Sequence, residues 1–199
     1  MNIIGITGGI GSGKSLAASF LKELTGSDVI FTDDVAKKLM DKGNTIYYDV
    51  IDKFGEDILD ADKSINREKL SKIIFADNNK RLMLNKLSHK HVLDEVNRLI
   101  KEAEDSGRKS IFIESALFKE AKFEDICDEI WLVYTPVEAR VKRLVSDRGY
   151  SVEKCGSIIN NQPQDDEFKE SSDVIIVNDG STEDLKEKIK NILTEKGMI

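Results

Sequence analysis

The chain has 199 residues, with 37 Asp and Glu against 30 Lys and Arg, and so a formal charge of −7. That balance is opposite to the footprint of a protein that coats nucleic acid or lies on an anionic membrane, which disfavours both as partners. At 40% hydrophobic and 34% charged residues, the chain is too apolar for disorder, and no apolar run approaches the roughly 20 residues of a membrane span.

Asn2 to Thr7 reads Asn-Ile-Ile-Gly-Ile-Thr and runs straight into a Gly-rich segment, which predicts a strand buried on both faces in a parallel sheet. Its Met-Asn-Ile-Ile-Gly start lacks the basic flank of a secretory signal, and the only cysteines are Cys127 and Cys155, so a cytoplasmic chain with reduced thiols is expected. Leu16, Phe20, Leu21 and Leu24 then form a helical stripe, followed by a second strand pattern from Asp28 to Thr32. Between Asp33 and Gly107 no strand pattern occurs. Helical segments there are separated by Gly43, Gly55 and the Asp60 to Lys63 turn, and the last of them carries Leu82, Leu87, Val92, Val96, Leu99, Ile100 and Ala103.

Strands are predicted again at 110–114 and 129–134, where Trp131 reads as core. Thr135 before Pro136 reads as an N-cap with Pro at the first helical position, and opens a polar helical interval in which Ser151 is another candidate cap. A fifth strand pattern at 173–178 leads to Ser181, whose spacing to Asp184 marks the start of a helix with Leu185, Ile189, Ile192 and Leu193 on one face. Strands alternating with helices in this way predict a doubly wound α/β sheet.

Gly8-Gly-Ile-Gly-Ser-Gly-Lys-Ser15 satisfies G-x-x-x-x-G-K-[ST] after a strand and before a helix, the setting a phosphate-binding loop requires. A triphosphate must be wrapped by backbone N–H groups, so the loop needs glycines, and the helix that follows turns its positive end to the anion. Gly9, Gly11, Ser12, Gly13, Lys14, Ser15 and Leu16 are accordingly read as ligands of ATP. Lys14 would bridge the β- and γ-phosphates, and the Ser15 hydroxyl would complete the shell of a Mg²⁺ ion carried by the nucleotide. The fold expected is a P-loop NTPase-type, five-stranded parallel sheet forming one domain. Its core comprises 1–34, 108–136 and 169–199, with a helical insertion at about 35–107 and a short helical lid at about 137–168.

Asp33 falls at the carboxyl end of the second strand, where ligands lie in open α/β sheets. It reads as the carboxylate that orients an attacking hydroxyl and accepts its proton, with a helix N-cap as the alternative, and Asp34 reads as a cap. Glu114 reads as a strand-end surface residue or an outer contact of the Mg²⁺ site. His89 and His91, two apart on a helix, share no face and do not suit a zinc site. Neither cysteine has a partner base at sensible spacing. The Lys186 to Lys190 segment reads as a solvated helix face.

Thr7-Gly-Gly-Ile-Gly-Ser-Gly-Lys-Ser15 together with Thr32-Asp-Asp-Val-Ala-Lys-Lys-Leu39 resembles the dephospho-CoA kinase family. Further matches are Ile65-Asn-Arg67 before Leu70 and Phe75, Leu84 to His89, Leu117-Phe118, Arg143-Leu144, Gln162 and Asp173 to Ser181. The resemblance implies an enzyme that moves the γ-phosphoryl of Mg·ATP to the ribose 3′-hydroxyl of dephospho-CoA, the last step of CoA synthesis. It implies Asp33 as the catalytic carboxylate, and an insertion that binds dephospho-CoA through Arg67 and His89. It also implies a lid whose Arg143 and Arg148 close on ATP, with Asn178 counted in the nucleotide set. The chain departs from the family pattern at Phe31, Lys37, Lys90, Asp147 and Ile158. A monomer or weak homo-oligomer is expected.

The same loop and lid would serve a nucleoside or nucleotide kinase. A nucleotide-binding switch without phosphoryl transfer is disfavoured, because the chain has no Asn-Lys-x-Asp guanine motif, and a nucleic-acid-dependent ATPase conflicts with the acidic charge.

Overall fold

A computed structural model of the chain describes residues 1–116, 118 and 121–199; Leu117, one of the positions that carry the resemblance, lies outside the described residues. In chain order the elements are β1 (Asn2–Thr7), α1 (Lys14–Thr25), β2 (Asp28–Phe31), α2 (Thr32–Leu39), α3 (Thr45–Phe54), α4 (Arg67–Ala76) and α5 (Asn78–Asp105). There follow β3 (Ser110–Glu114), β4 (Glu129–Tyr134), α6 (Val137–Arg148), α7 (Val152–Asn160), α8 (Asp165–Glu170), β5 (Val174–Val177) and α9 (Thr182–Glu195). They divide into two compact units: Met1–Phe31 with Ala103–Ile199, and Thr32–Glu102.

The first unit is built on a five-stranded sheet in the order β2-β3-β1-β4-β5, with every pairing parallel. β1 lies at its centre, paired to β3 through Ile4↔Phe112 and to β4 through Ile6↔Trp131. A strand in that position is covered on both faces, which is why its sequence is a continuous apolar run rather than an alternating one. Ile4, Ile6, Phe112, Trp131, Val133 and Ile176 from the sheet pack with Ala17 and Leu21 of α1 and Leu185, Ile189 and Leu193 of α9.

The stripe on α1 is rotated from the one the sequence suggests. Ala17, Ala18 and Leu21 are buried whereas Leu16 is 39% exposed, because α1 leaves the Gly-rich loop so directly that its first turn faces the loop's ligand side. Ser151 and Ser181 cap α7 and α9 by accepting from the Lys154 and Asp184 amides, each contact spanning three residues.

The second unit holds α2 to α4 and most of α5, around Ile46, Val50, Ile58, Val92 and Val96, all buried. Its one extended contact among the described residues is an isolated antiparallel bridge, Leu59↔Ile65, across the turn where Lys63 takes φ 68°. His91 Nε2 lies 2.6 Å from Asp49 Oδ2 and ties α5 to α3. His91 therefore has a structural partner, and His89 lies outside that contact.

Candidate active site

The loop between β1 and α1 folds onto its own lysine. Ser12 N donates to the Gly9 carbonyl at 3.1 Å, and Lys14 Nζ donates to the Gly8 and Gly9 carbonyls at 2.8 and 3.1 Å. Lys14 is buried, so the ammonium is held on the loop rather than out in solvent. Gly13 caps α1 with φ 91°, and a Cβ there would stand 2.3 Å from Asn178 Nδ2, so both backbone and space require glycine. Ala17 N to Gly13 O is the first intrahelical bond, which leaves the Ser15 and Leu16 amides in the open N-terminal turn.

A cavity of about 470 Å³ opens over this turn. The loop side contributes Gly11, Gly13, Lys14, Ser15 and Leu16; α6 contributes Arg143, Leu144, Asp147 and Arg148; the segment after β5 contributes Asn178 and the start of α9. The structure thus brings together most of the residues that the sequence assigned to nucleotide. Gly9 and Ser12 lie in the loop itself, and Ser12 is buried. Asp147, at a departure from the family pattern, shares the cavity with Arg148.

Asn178 organises the far wall. Its backbone N donates to Tyr134 O at 2.8 Å, its Nδ2 donates to Ser12 O at 2.7 Å, and its carbonyl accepts from Thr135 Oγ1 at 2.8 Å and Arg143 Nη2 at 3.1 Å. Thr135 is not the helix cap that its place before Pro136 suggests. Its buried hydroxyl sits 3.0 Å from Ser12 O as well as 2.8 Å from Asn178 O, while Pro136, with φ −53° and ψ 145°, occupies the N-cap of α6. The long-range acceptors on the loop and on Asn178 outcompete the local capping role.

Arg140 was not singled out by the sequence pattern, where it reads as one more basic residue on a polar helix. In the structure its side chain is 3% exposed and pairs through Nη2 with Asp165 Oδ1 at 2.5 Å. Nearby, Gln162 Oε1 accepts from the Ile10 amide at 2.8 Å. Glu114 is buried at 7% exposure, which overturns the reading of it as a strand-end surface residue. The Lys186 to Lys190 face is not merely solvated: Lys186 pairs with Glu23, and Lys188 reaches Asp179 and the Val177 carbonyl.

Asp33, Arg67 and His89 belong to the second unit. Asp33 lies exposed in the first turn of α2, beyond the end of β2. Asp34, in the same turn, bonds Lys37 at 2.7 Å rather than capping the helix, and this hydrogen bond is the main cause that raises the Lys37 pKa. Asp33 raises it further and Arg67 lowers it, so these charges share one neighbourhood. Arg67 is the first residue of α4, which Asn66 caps by accepting from Lys69 N. Both cysteines are unpaired thiols, and burial pushes the Cys127 thiol up to about 12. No group of three or more metal-ligating side chains occurs among the described residues.

A family model described as dephospho-CoA kinase matches residues 2–184. A dephospho-CoA kinase of Carboxydothermus hydrogenoformans is 42% identical over 191 residues, covering 96% of this chain and 92% of that protein. A structure described as TT1252 from Thermus thermophilus superposes with a TM-score of 0.77 at 28% identity, over 98% of this chain and 97% of that one. The dephospho-CoA kinase of Campylobacter jejuni has the same fold, with a TM-score of 0.73 at 21% identity over 100% and 99% of the two chains. With a phosphate loop, a parallel sheet and a sequence match that runs through both units, the chain belongs to the dephospho-CoA kinase family.

Proposed function

We propose that this chain transfers the γ-phosphoryl group of ATP to the ribose 3′-hydroxyl of dephospho-CoA, giving CoA and ADP. The observation that carries the reading is the cavity over the start of α1, where loop amides, Lys14, Arg143 and Arg148 converge in a chain of this family. The overall charge of −7 is no obstacle, because the positive potential is local to a helix end and a few cations.

The Ser15 and Leu16 amides and the loop N–H groups bind the phosphates, and Lys14 follows the γ-phosphoryl as its bond to the leaving oxygen loosens, where its charge counts most. Arg143 and Arg148, on one helix, neutralise charge on the transferring group. Asp33 orients the acceptor hydroxyl and takes its proton, while Arg67 and His89 hold the phosphates of dephospho-CoA. A metal carried on triphosphate oxygens needs few protein ligands, which fits the exposed Ser15 hydroxyl beside the cavity and the lack of a protein cage among the described residues. Mg²⁺ held there by Ser15 would neutralise phosphate charge. The segment 35–107 is the acceptor-binding part and 137–168 the lid of one kinase domain. The unpaired thiols fit action in the cytoplasm, and the acidic charge fits a small-molecule partner rather than nucleic acid or a membrane, for a chain acting as a monomer or weak oligomer.

The test is ADP release with dephospho-CoA against a panel of nucleosides and nucleoside monophosphates. Turnover should depend on dephospho-CoA. Preference for a nucleoside would move the chain to nucleoside kinase chemistry, and acceptor-independent release would favour a nucleotide-binding switch.

A further inference from the structure

The geometry points to Arg140, Asp165 and Gln162 as positioning residues that brace the phosphate loop from behind, through the turn between α7 and α8. This rests on the reading of that loop as the ATP site. One contact reaches the loop directly from the turn, and a second reaches it from the start of α8 through Arg140. Gln162 Oε1 takes the Ile10 amide at 2.8 Å, committing one loop donor to protein and fixing the peptide between Gly9 and Ile10. Asp165 holds the Arg140 guanidinium at 2.5 Å, and that guanidinium presents its Nη1 to Gly9, where a Cβ would stand only 1.9 Å from it. The Arg140 backbone also approaches Gly11, with its carbonyl 3.1 Å from the place a Cβ would take there. One residue of α6 thus forms the floor under two positions of the loop.

The Gly9 peptide is the link to chemistry. Its carbonyl accepts both Ser12 N and Lys14 Nζ. Pressing Gly9 from behind therefore sets the position of the ammonium that meets the phosphates. The arrangement costs stability: Arg140 is 3% exposed, its Nε has no hydrogen-bond partner among the described residues, and its only ion-pair partner there is Asp165. An apolar side chain would fill this floor at lower cost. A guanidinium whose charge is balanced from the α7–α8 turn instead makes loop geometry depend on where that turn sits.

The experiment uses the full chain and three variants, Asp165→Leu, Asp165→Asn and Gln162→Met. It measures the Kd of ATP by titration of folded protein, the KM for dephospho-CoA and the thermal midpoint. Asp165→Leu leaves Arg140 buried without a counter-charge, so the guanidinium should swing out and ATP affinity should fall about tenfold. Asp165→Asn keeps an acceptor for Nη2 and should stay within about threefold of the parent. Gln162→Met, of similar volume with no acceptor, should weaken ATP about fivefold. The KM for dephospho-CoA should move less than twofold in all three.

The inference is overturned if folded Asp165→Leu and Gln162→Met bind ATP within twofold of the parent. It is overturned equally if ATP affinity and dephospho-CoA KM worsen together with a lower midpoint and no rescue by Asn, since that pattern belongs to general destabilisation. Failure of the parent to use dephospho-CoA, with ATP binding still graded across the variants, would refute the proposed reaction and leave the brace standing.

Discussion

Asn178 Nδ2 donates to the Ser12 carbonyl at 2.7 Å, joining the end of β5 to the phosphate loop across 166 residues. The residue that family resemblance counts with the nucleotide set is thus also a structural strut, fixing the peptide that leads into Gly13. Asn178→Leu removes this donor while Thr135 Oγ1 stays on that carbonyl, at a cost of about 0.5–1.5 kcal/mol. Urea unfolding without nucleotide should show this loss. Unchanged stability with weaker ATP binding would instead make Asn178 a ligand contact only.

Lys14 Nζ rests on two loop carbonyls at 2.8 and 3.1 Å, so it is pre-aimed by the peptides that shape the anion site. Lys14→Met keeps the buried stem and deletes the charge. Turnover at saturating ATP should fall roughly 10²-fold or more, since the lost contact is stronger in the transition state than in the ground state. Near-normal turnover would remove Lys14 from the chemistry.

Much of the sheet is legible in the sequence because parallel strands covered on both faces leave continuous apolar runs, and the Ser151 and Ser181 caps are legible because each is closed within three residues. What the sequence hides is side-chain use across distance. Thr135 carries a cap's local signature, yet its hydroxyl goes to Ser12, 123 residues away. Arg140 looks like any polar helix residue until α8 brings Asp165 to it. Gln162 stands out only by resemblance, and its partner Ile10 is 152 positions distant. Leu16 fits a core stripe by period, but the neighbouring loop claims the first turn of α1.

Asp33 lies exposed in the first turn of α2, where a carboxylate could merely favour the helix dipole. The two roles separate cleanly in Asp33→Asn. Loss of a proton acceptor should lower turnover by roughly 10²- to 10⁴-fold with ATP affinity retained. A dipole role alone predicts about 0.3–1 kcal/mol of stability lost and an unchanged rate.

Arg67 opens α4 and lowers the Lys37 pKa through space, while Asp33 raises it. An exposed cation in that neighbourhood suits a phosphorylated acceptor. Arg67→Ala should therefore raise the KM for dephospho-CoA about tenfold and leave the KM for ATP within twofold. The reverse ordering would assign Arg67 to the nucleotide.

The fold alters the Cys127 thiol strongly. Burial first, then the charges of Asp128 and Glu124, push it up to about 12, against roughly 8.5 in an unfolded chain. At pH 8 only about one thiol in 10⁴ is ionised, so iodoacetamide should label native Cys127 far more slowly than the urea-unfolded chain. The same shift acts on stability. Because the folded state holds its proton more tightly, this contribution is fully present below about pH 8.5 and is lost as pH climbs towards 12. Between pH 8 and 10 the thermal midpoint should fall more steeply for the parent than for Cys127→Ala, whereas parallel slopes would show that the thiol ionises as freely in the fold as out of it.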